Sequence, residues 1–133
     1  MSDSPAGSAV ASASLRRAVV VDDDEVLGPL FCEMLQFIGF ETVSANNGAD
    51  ALSVLESQGP FDLLLTDVRM PGCVDGAALA TAAKAAYPSM MIVVITGFGG
   101  NALASIPEGV PVLAKPFLLS DLEAQLQRLR SSD

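Results

Sequence analysis

Five short, mainly apolar runs set between segments of helical period constrain this chain more than any other feature. They occupy residues 18–21, 42–45, 63–66, 92–96 and 112–114. A strand with one wet face alternates polar and apolar residues. Leu63-Leu64-Leu65 has no polar face to offer, so both of its sides must be covered. Such strands alternating with helices describe a parallel sheet with helices on both faces. Right-handed crossovers then make it a doubly wound, three-layer α/β sandwich of five strands.

The intervening segments are legible as helices. Val26, Leu27, Leu30, Phe31, Met34, Leu35 and Ile38 recur at spacings of three and four, which predicts one buried helix face closed by Gly39. Pro29 is awkward there, because proline removes a helix hydrogen bond, so the helix is expected to start late or to bend. A second helix is expected over residues 47–57, stopped by Gly59-Pro60, and a third, alanine-rich, from Asp75-Gly76 to before Pro88. A last helix opens on Ser120-Asp121-Leu122-Glu123, a capping-box spacing, and buries Leu122, Leu126 and Leu129. Between Thr96 and Val112 the glycines and prolines leave room for one short helix, about residues 101–106. Residues 1–16, rich in Ser and Ala, are expected to be a flexible tail, and residues 17–133 the folded domain.

Composition narrows the function. The net charge is −9 and histidine is absent from all 133 residues. A basic nucleic-acid footprint is missing, so no direct nucleic-acid partner is expected. Histidine-based nucleophilic catalysis and imidazole zinc sites are excluded. The apolar runs fall far short of the ~20 residues a membrane-spanning helix needs, so membrane insertion is not expected. No secretory signal is visible. Cys32 and Cys73 lack CxxC spacing and read as reduced thiols of a cytoplasmic protein, with Cys32 part of the core.

In open parallel sheets, ligands gather beyond the carboxyl ends of the strands. There the first run delivers Asp22-Asp23-Asp24, the third Asp67, the fourth Thr96-Gly97 and the fifth Lys115-Pro116. Taken singly, each is an ordinary polar loop residue, with Asp24 a helix cap. Together they are a constellation. Crowded carboxylates repel unless they share a cation, and hard oxygen ligands point to Mg²⁺, or Mn²⁺ in its place. A carboxylate, a divalent ion, a lysine and a hydroxyl are the parts needed to move a phosphoryl group onto an aspartate.

These residues resemble the receiver domains of two-component response regulators. The likeness is carried, in order, by VVVDDDE (19–25), LLLTDVRMPGCVDG (63–76), VVITG (93–97) and LAKPF (113–117). It implies a flavodoxin-like, chemotaxis-regulator-like sheet in the order 2-1-3-4-5, in which this chain's fourth helix is expected to be short. It makes Asp67 the phosphoacceptor, fed by a sensor histidine kinase or a histidine phosphotransferase, and implies output by binding a downstream protein. Asp22, Asp23, Asp67 and the backbone carbonyl of Arg69 would hold the metal. Thr96, Gly97 and Lys115 would bind the phosphoryl group and signal its presence. Pro71 and Gly76 would shape the loop after Asp67, and Pro116 would follow a cis peptide bond. The only chemistry expected is the domain's own phosphorylation and dephosphorylation, from a stand-alone signalling protein and not an enzyme. Arg69 and Phe98 are expected to flank the phosphoryl group and lengthen its lifetime.

Three departures from the family pattern stand out. The loop from Met70 to Gly76 is one residue longer than the commonest form. Val112 stands three positions before the lysine, where an aromatic switch residue is usual. The region of the fourth helix is short. Two alternatives remain open at this point: a haloacid-dehalogenase-like phosphatase with Asp22 as nucleophile, and a docking module that keeps the fold without being phosphorylated. The first lacks the later acidic metal motif and leaves the Asp67 motif unexplained.

Overall fold

The structure, a computed structural model, describes residues 16–68, 75–96, 106, 107, 109–114 and 117–131, the last three without side-chain detail. In chain order the elements are β1 (Arg16–Val21), α1 (Leu27–Ile38), β2 (Phe40–Ala45), α2 (Gly48–Gln58), β3 (Leu63–Asp67), α3 (Gly76–Ala86), β4 (Met91–Thr96), β5 (Val112–Ala114) and α4 (Leu119–Ser131). The strands form one sheet in the order β2-β1-β3-β4-β5, every neighbouring pair parallel. The expected flavodoxin-like sandwich is therefore what the chain adopts. The short helix expected over 101–106 falls, apart from Ile106, outside the described residues.

The alternation of side chains along each strand divides the core into two layers. Val19, Val21, Leu64, Ile92 and Val94 pack with Ala51, Leu55, Leu79, Ala80 and Ala83, the layer covered by α2 and α3. Ala18, Val20, Leu63, Leu65, Val93 and Ile95 pack with Phe31, Leu35, Leu122 and Leu126, the layer covered by α1 and α4. Leu63, Leu64 and Leu65 are all fully buried, each contributing roughly 1.5–3 kcal/mol of transfer free energy. The run of leucines is thus a central strand with no wet side.

Helix ends explain most of the boundaries. Asn47 and Asp75 accept the N–H groups of Asp50 and Ala78, each at 2.8 Å, and so cap α2 and α3. Gly39 ends α1 at φ 120°, a backbone conformation open to glycine, and donates to the carbonyls of Leu35 and Gln36. Pro29 proves compatible because α1 begins at Leu27. The proline then lies in the first turn, where N–H groups have no helical acceptor.

Two expectations are corrected. Val26 and Leu30 do not join the buried face of α1; both are exposed, and the buried positions are Gly28, Phe31 and Leu35. The apolar stripe read from spacing was wider than the contact the sheet provides. The capping box at Ser120 is also displaced. Helix α4 starts at Leu119, and the backbone N–H of Leu118 donates to Asp121 Oδ2 at 2.8 Å, so Asp121 takes the part expected of Glu123, two positions earlier. Leu122 and Leu126 are buried as expected, and the side chain of Leu129 lies outside the described residues.

Candidate functional site

The strand order turns back on itself between β1 and β3: from β1 the chain leaves to β2 on one side, then returns to place β3 on the other. Loops leaving the carboxyl ends of these two strands diverge and open a crevice, the switch point of doubly wound sheets. Val21 pairs with Thr66 at the end of that ladder. The next residues are Asp22 and Asp67, so the register alone brings the two acids side by side.

The geometry is tight. One carboxylate oxygen from each of Asp22, Asp23 and Asp67 lies within 4.8 Å of the others. Asp22 is buried and Asp23 exposed. Asp67 keeps 7% of its surface open to solvent, at the floor of the crevice. Asp22 is held by the backbone on two sides: its N–H donates to the carbonyl of Ala45 at 3.2 Å, and its Oδ1 accepts the N–H of Asp24 at 2.8 Å. Asp24 turns away to structural duty. Its Oδ1 accepts the N–H groups of Val26 and Leu27, which secures the first turn of α1. The three consecutive acids therefore divide their work, two toward the crevice and one toward the helix.

Asp67 is fixed from behind. Thr66 is fully buried and its hydroxyl donates to the Asp67 carbonyl at 2.9 Å. Val68 donates its N–H to the carbonyl of Ile95 on β4 at 2.8 Å, and Gly76 donates to the carbonyl of Val68 at 3.0 Å. Gly76 lies so close that a Cβ there would meet the Asp67 carbonyl oxygen and sit 2.6 Å from Val68 Cα. No neighbour can yield, because the obstacle is backbone. Only glycine allows α3 to start at this spot.

Thr96 closes β4 and is buried; Asp67 pairs with Ile95, which puts Thr96 one residue farther toward the same edge, opposite Ala114 of β5. Lys115 follows Ala114 in the chain. Lys115, Pro116, Arg69, Pro71, Gly97 and Phe98 all lie outside the described residues. Val112 is half-buried and packs with Ile106 and Val110 against the α2–α3 layer. Reasoning from sequence overlooked Phe117, whose ring stacks on Phe31 of α1 at 5.3 Å and 19°. The signal was its place in LAKPF, directly after the lysine and proline.

A groove of about 550 Å³ adjoins the acids between α1 and β2, lined among others by Gly28, Cys32, Glu33 and Thr42. Cys32 is half-buried and its thiol is pushed above its usual pKa by that burial, so it stays protonated at neutral pH. It belongs to the wall and not to the chemistry.

Fold and site together define a flavodoxin-like α/β domain with an acidic pocket at its switch point. The family described as response regulator receiver domain matches residues 18–127. The chain is 35% identical over 118 residues to the response regulator receiver protein CpdR of Brucella abortus, covering 86% of this chain and 97% of that one. It is 33% identical over 112 residues to the DNA-binding transcriptional regulator NtrC of Escherichia coli, covering 82% of this chain and 24% of NtrC. A crystal structure of a response regulator receiver protein from Sinorhizobium medicae superposes with a TM-score of 0.81 at 29% identity, over 89% of this chain and 96% of the other. The chain belongs to the response regulator receiver domain family of two-component systems. No described helix is long and apolar enough to cross a membrane.

Proposed function

We propose that this receiver domain takes a phosphoryl group onto Asp67 in the presence of Mg²⁺ and signals by changing what it binds. The observation that carries the reading is the convergence of Asp22, Asp23 and Asp67 within 4.8 Å. Three hard carboxylate oxygens, with neither imidazole nor thiolate among them, suit Mg²⁺ or Mn²⁺. Asp22, Asp23 and Asp67 would be ligands, joined by the backbone carbonyl of Arg69. When bound, the ion supplies the positive charge that lets a carboxylate and a phosphoryl group approach each other.

The donor is a phosphohistidine of a sensor kinase or a histidine phosphotransferase. An Asp67 oxygen forms a bond to phosphorus as the phosphorus–nitrogen bond breaks, and the imidazole leaves with a proton. Thr96 donates a hydrogen bond to a phosphoryl oxygen, and Lys115 pairs with its charge. The chemistry ends with loss of the phosphoryl group to water, so the domain is a cytoplasmic switch and not a turnover enzyme. Its partners are the phosphodonor protein and a downstream protein target.

Incubation with acetyl phosphate and Mg²⁺, followed by intact mass and borohydride trapping, tests this. One phosphoryl group is expected on Asp67, absent after chelation and absent in Asp67→Asn. Uptake that survives Asp67→Asn but is lost in Asp22→Asn would favour the phosphatase alternative. No uptake by the wild type would favour a docking module.

A further inference from the structure

At the amino end of the sheet, opposite the acids, a second groove of about 400 Å³ lies beside the starts of β3 and β4. The buried Leu55, Phe61 and Met90 line it, together with the exposed Pro60 and Pro88 and the half-buried Tyr87. The chain enters the sheet next to this groove. Arg17, the second residue of β1, lies 4.4 Å from the centre of the Phe61 ring and donates to the carbonyls of Gln58 and Pro60 at 2.6 and 3.2 Å. Its N–H donates to Asp62 Oδ2 at 2.8 Å. The residues that precede β1 are thereby tethered at the rim of the groove, at an effective concentration on the order of millimolar.

The sequence of that segment carries a pattern. Ala11-Ser12-Ala13-Ser14-Leu15-Arg16 alternates apolar and polar residues without a break, the period of an extended segment with one covered face. Its apolar positions are odd-numbered, in phase with Arg17, Val19 and Val21. Those three face the layer covered by α2 and α3: Val19 and Val21 belong to the same cluster as Leu55 and Phe61, and Arg17 lies over the Phe61 ring. The groove opens on that side, since Leu55, Phe61, Met90 and Tyr87 all pack in that layer. Residues 4–15 carry no charged side chain, so the acidic remainder of the chain does not repel them. We infer that residues 11–15 continue β1 in extended form across the amino end of the sheet and lay Ala11, Ala13 and Leu15 into this groove. At about 3.3 Å per residue the segment reaches about 16 Å, enough to cross it. The occupant is the chain's own amino-terminal segment, and the docking is independent of any chemistry at Asp67.

Tyr87 is the chain's single tyrosine and tryptophan is absent, so the intrinsic fluorescence of the full chain reports on this groove. Acrylamide quenching is measured on the wild type, Leu15→Asp, Ala13→Asp and Ser14→Asp, with circular dichroism to verify that each is folded. Loss of a buried leucine lowers the ratio of docked to undocked segment at least about tenfold. Tyr87 is therefore expected to be shielded in the wild type and quenched like a surface tyrosine in both odd-position variants. Ser14→Asp, out of phase, should match the wild type. A synthetic peptide of residues 8–15 added to Leu15→Asp should restore the shielding. Ala13→Asp, farther from β1, keeps the test decisive should Leu15→Asp not fold. Equal quenching in all the folded chains, or an equal rise in Ser14→Asp and the odd-position variants, would overturn the inference. Wild-type shielding that grows with protein concentration would place a second copy in the groove, and would overturn it as well.

Discussion

The two ends of the same sheet treat charge in opposite ways. At the amino end, one cation is surrounded by complements. The Arg17 guanidinium meets Glu41 Oε1 at 3.2 Å, donates to the carbonyls of Gln58 and Pro60 at 2.6 and 3.2 Å, and lies 4.4 Å from the centre of the Phe61 ring. The backbone of Arg17 and Asp62 exchange further bonds, N–H to Oδ2 and N–H to carbonyl, each at 2.8 Å. At the carboxyl end, three like charges are gathered within 4.8 Å. The first arrangement is complete within the chain and holds loops together. The second gathers charges that repel unless they share a cation, as the proposed Mg²⁺ site requires.

This contrast can be broken at several places. The largest effect is expected from Gly76→Ala, since the added carbon meets the backbone of Asp67 and Val68. Denaturant unfolding should show a loss of about 2 kcal/mol or more, and the shift of Asp67 should lower the rate of phosphoryl uptake. A stability unchanged by Gly76→Ala would mean that α3 does not start where the structure puts it.

Next come opposite responses at the two ends, measured without divalent ions. Arg17→Ala should destabilise by roughly 1–2 kcal/mol, mostly through the lost carbonyl bonds and ring contact. The Glu41 pair is largely exposed and accounts for well under ~1 kcal/mol of that. Asp23→Asn should instead stabilise, by on the order of 1 kcal/mol, because it removes one of three repelling charges at an exposed position. Destabilisation by Asp23→Asn in chelator would remove the distinction between the ends.

How far the sequence could be read follows the same division. The central strands were legible because burial on both faces leaves continuous apolar runs, and the acids were legible because the fold sorts polar residues to one edge. Asp22, Asp23, Asp67 and Thr96 do meet at that edge. Asp24 was visible as a cap from its place before the helical period. What stayed hidden depends on partners distant in the chain. Nothing local to Arg17 reveals that it organises Gln58, Pro60 and Phe61. The stacking of Phe117 on Phe31 joins residues 86 positions apart in sequence. Val26 and Leu30 are exposed despite their helical spacing, because periodicity shows that a stripe exists but not how wide a face the sheet will cover. The α4 cap lies two positions earlier than the Ser120 spacing indicates, because Asp121 bonds backward to Leu118.

The most direct measurement is thermal or denaturant unfolding of the full chain as Mg²⁺ is titrated, run in parallel on Arg17→Ala, Asp22→Asn, Asp23→Asn and Asp67→Asn. A ligand that binds only the folded state stabilises it by mass action, by about 2.7 kcal/mol at a hundredfold excess over Kd. The wild type and Arg17→Ala should gain stability from Mg²⁺ equally, and each of the three carboxylate variants should lose most of that gain. Stabilisation that persists undiminished in all three, or that is absent from the wild type, would contradict a shared metal site at the carboxyl end of the sheet.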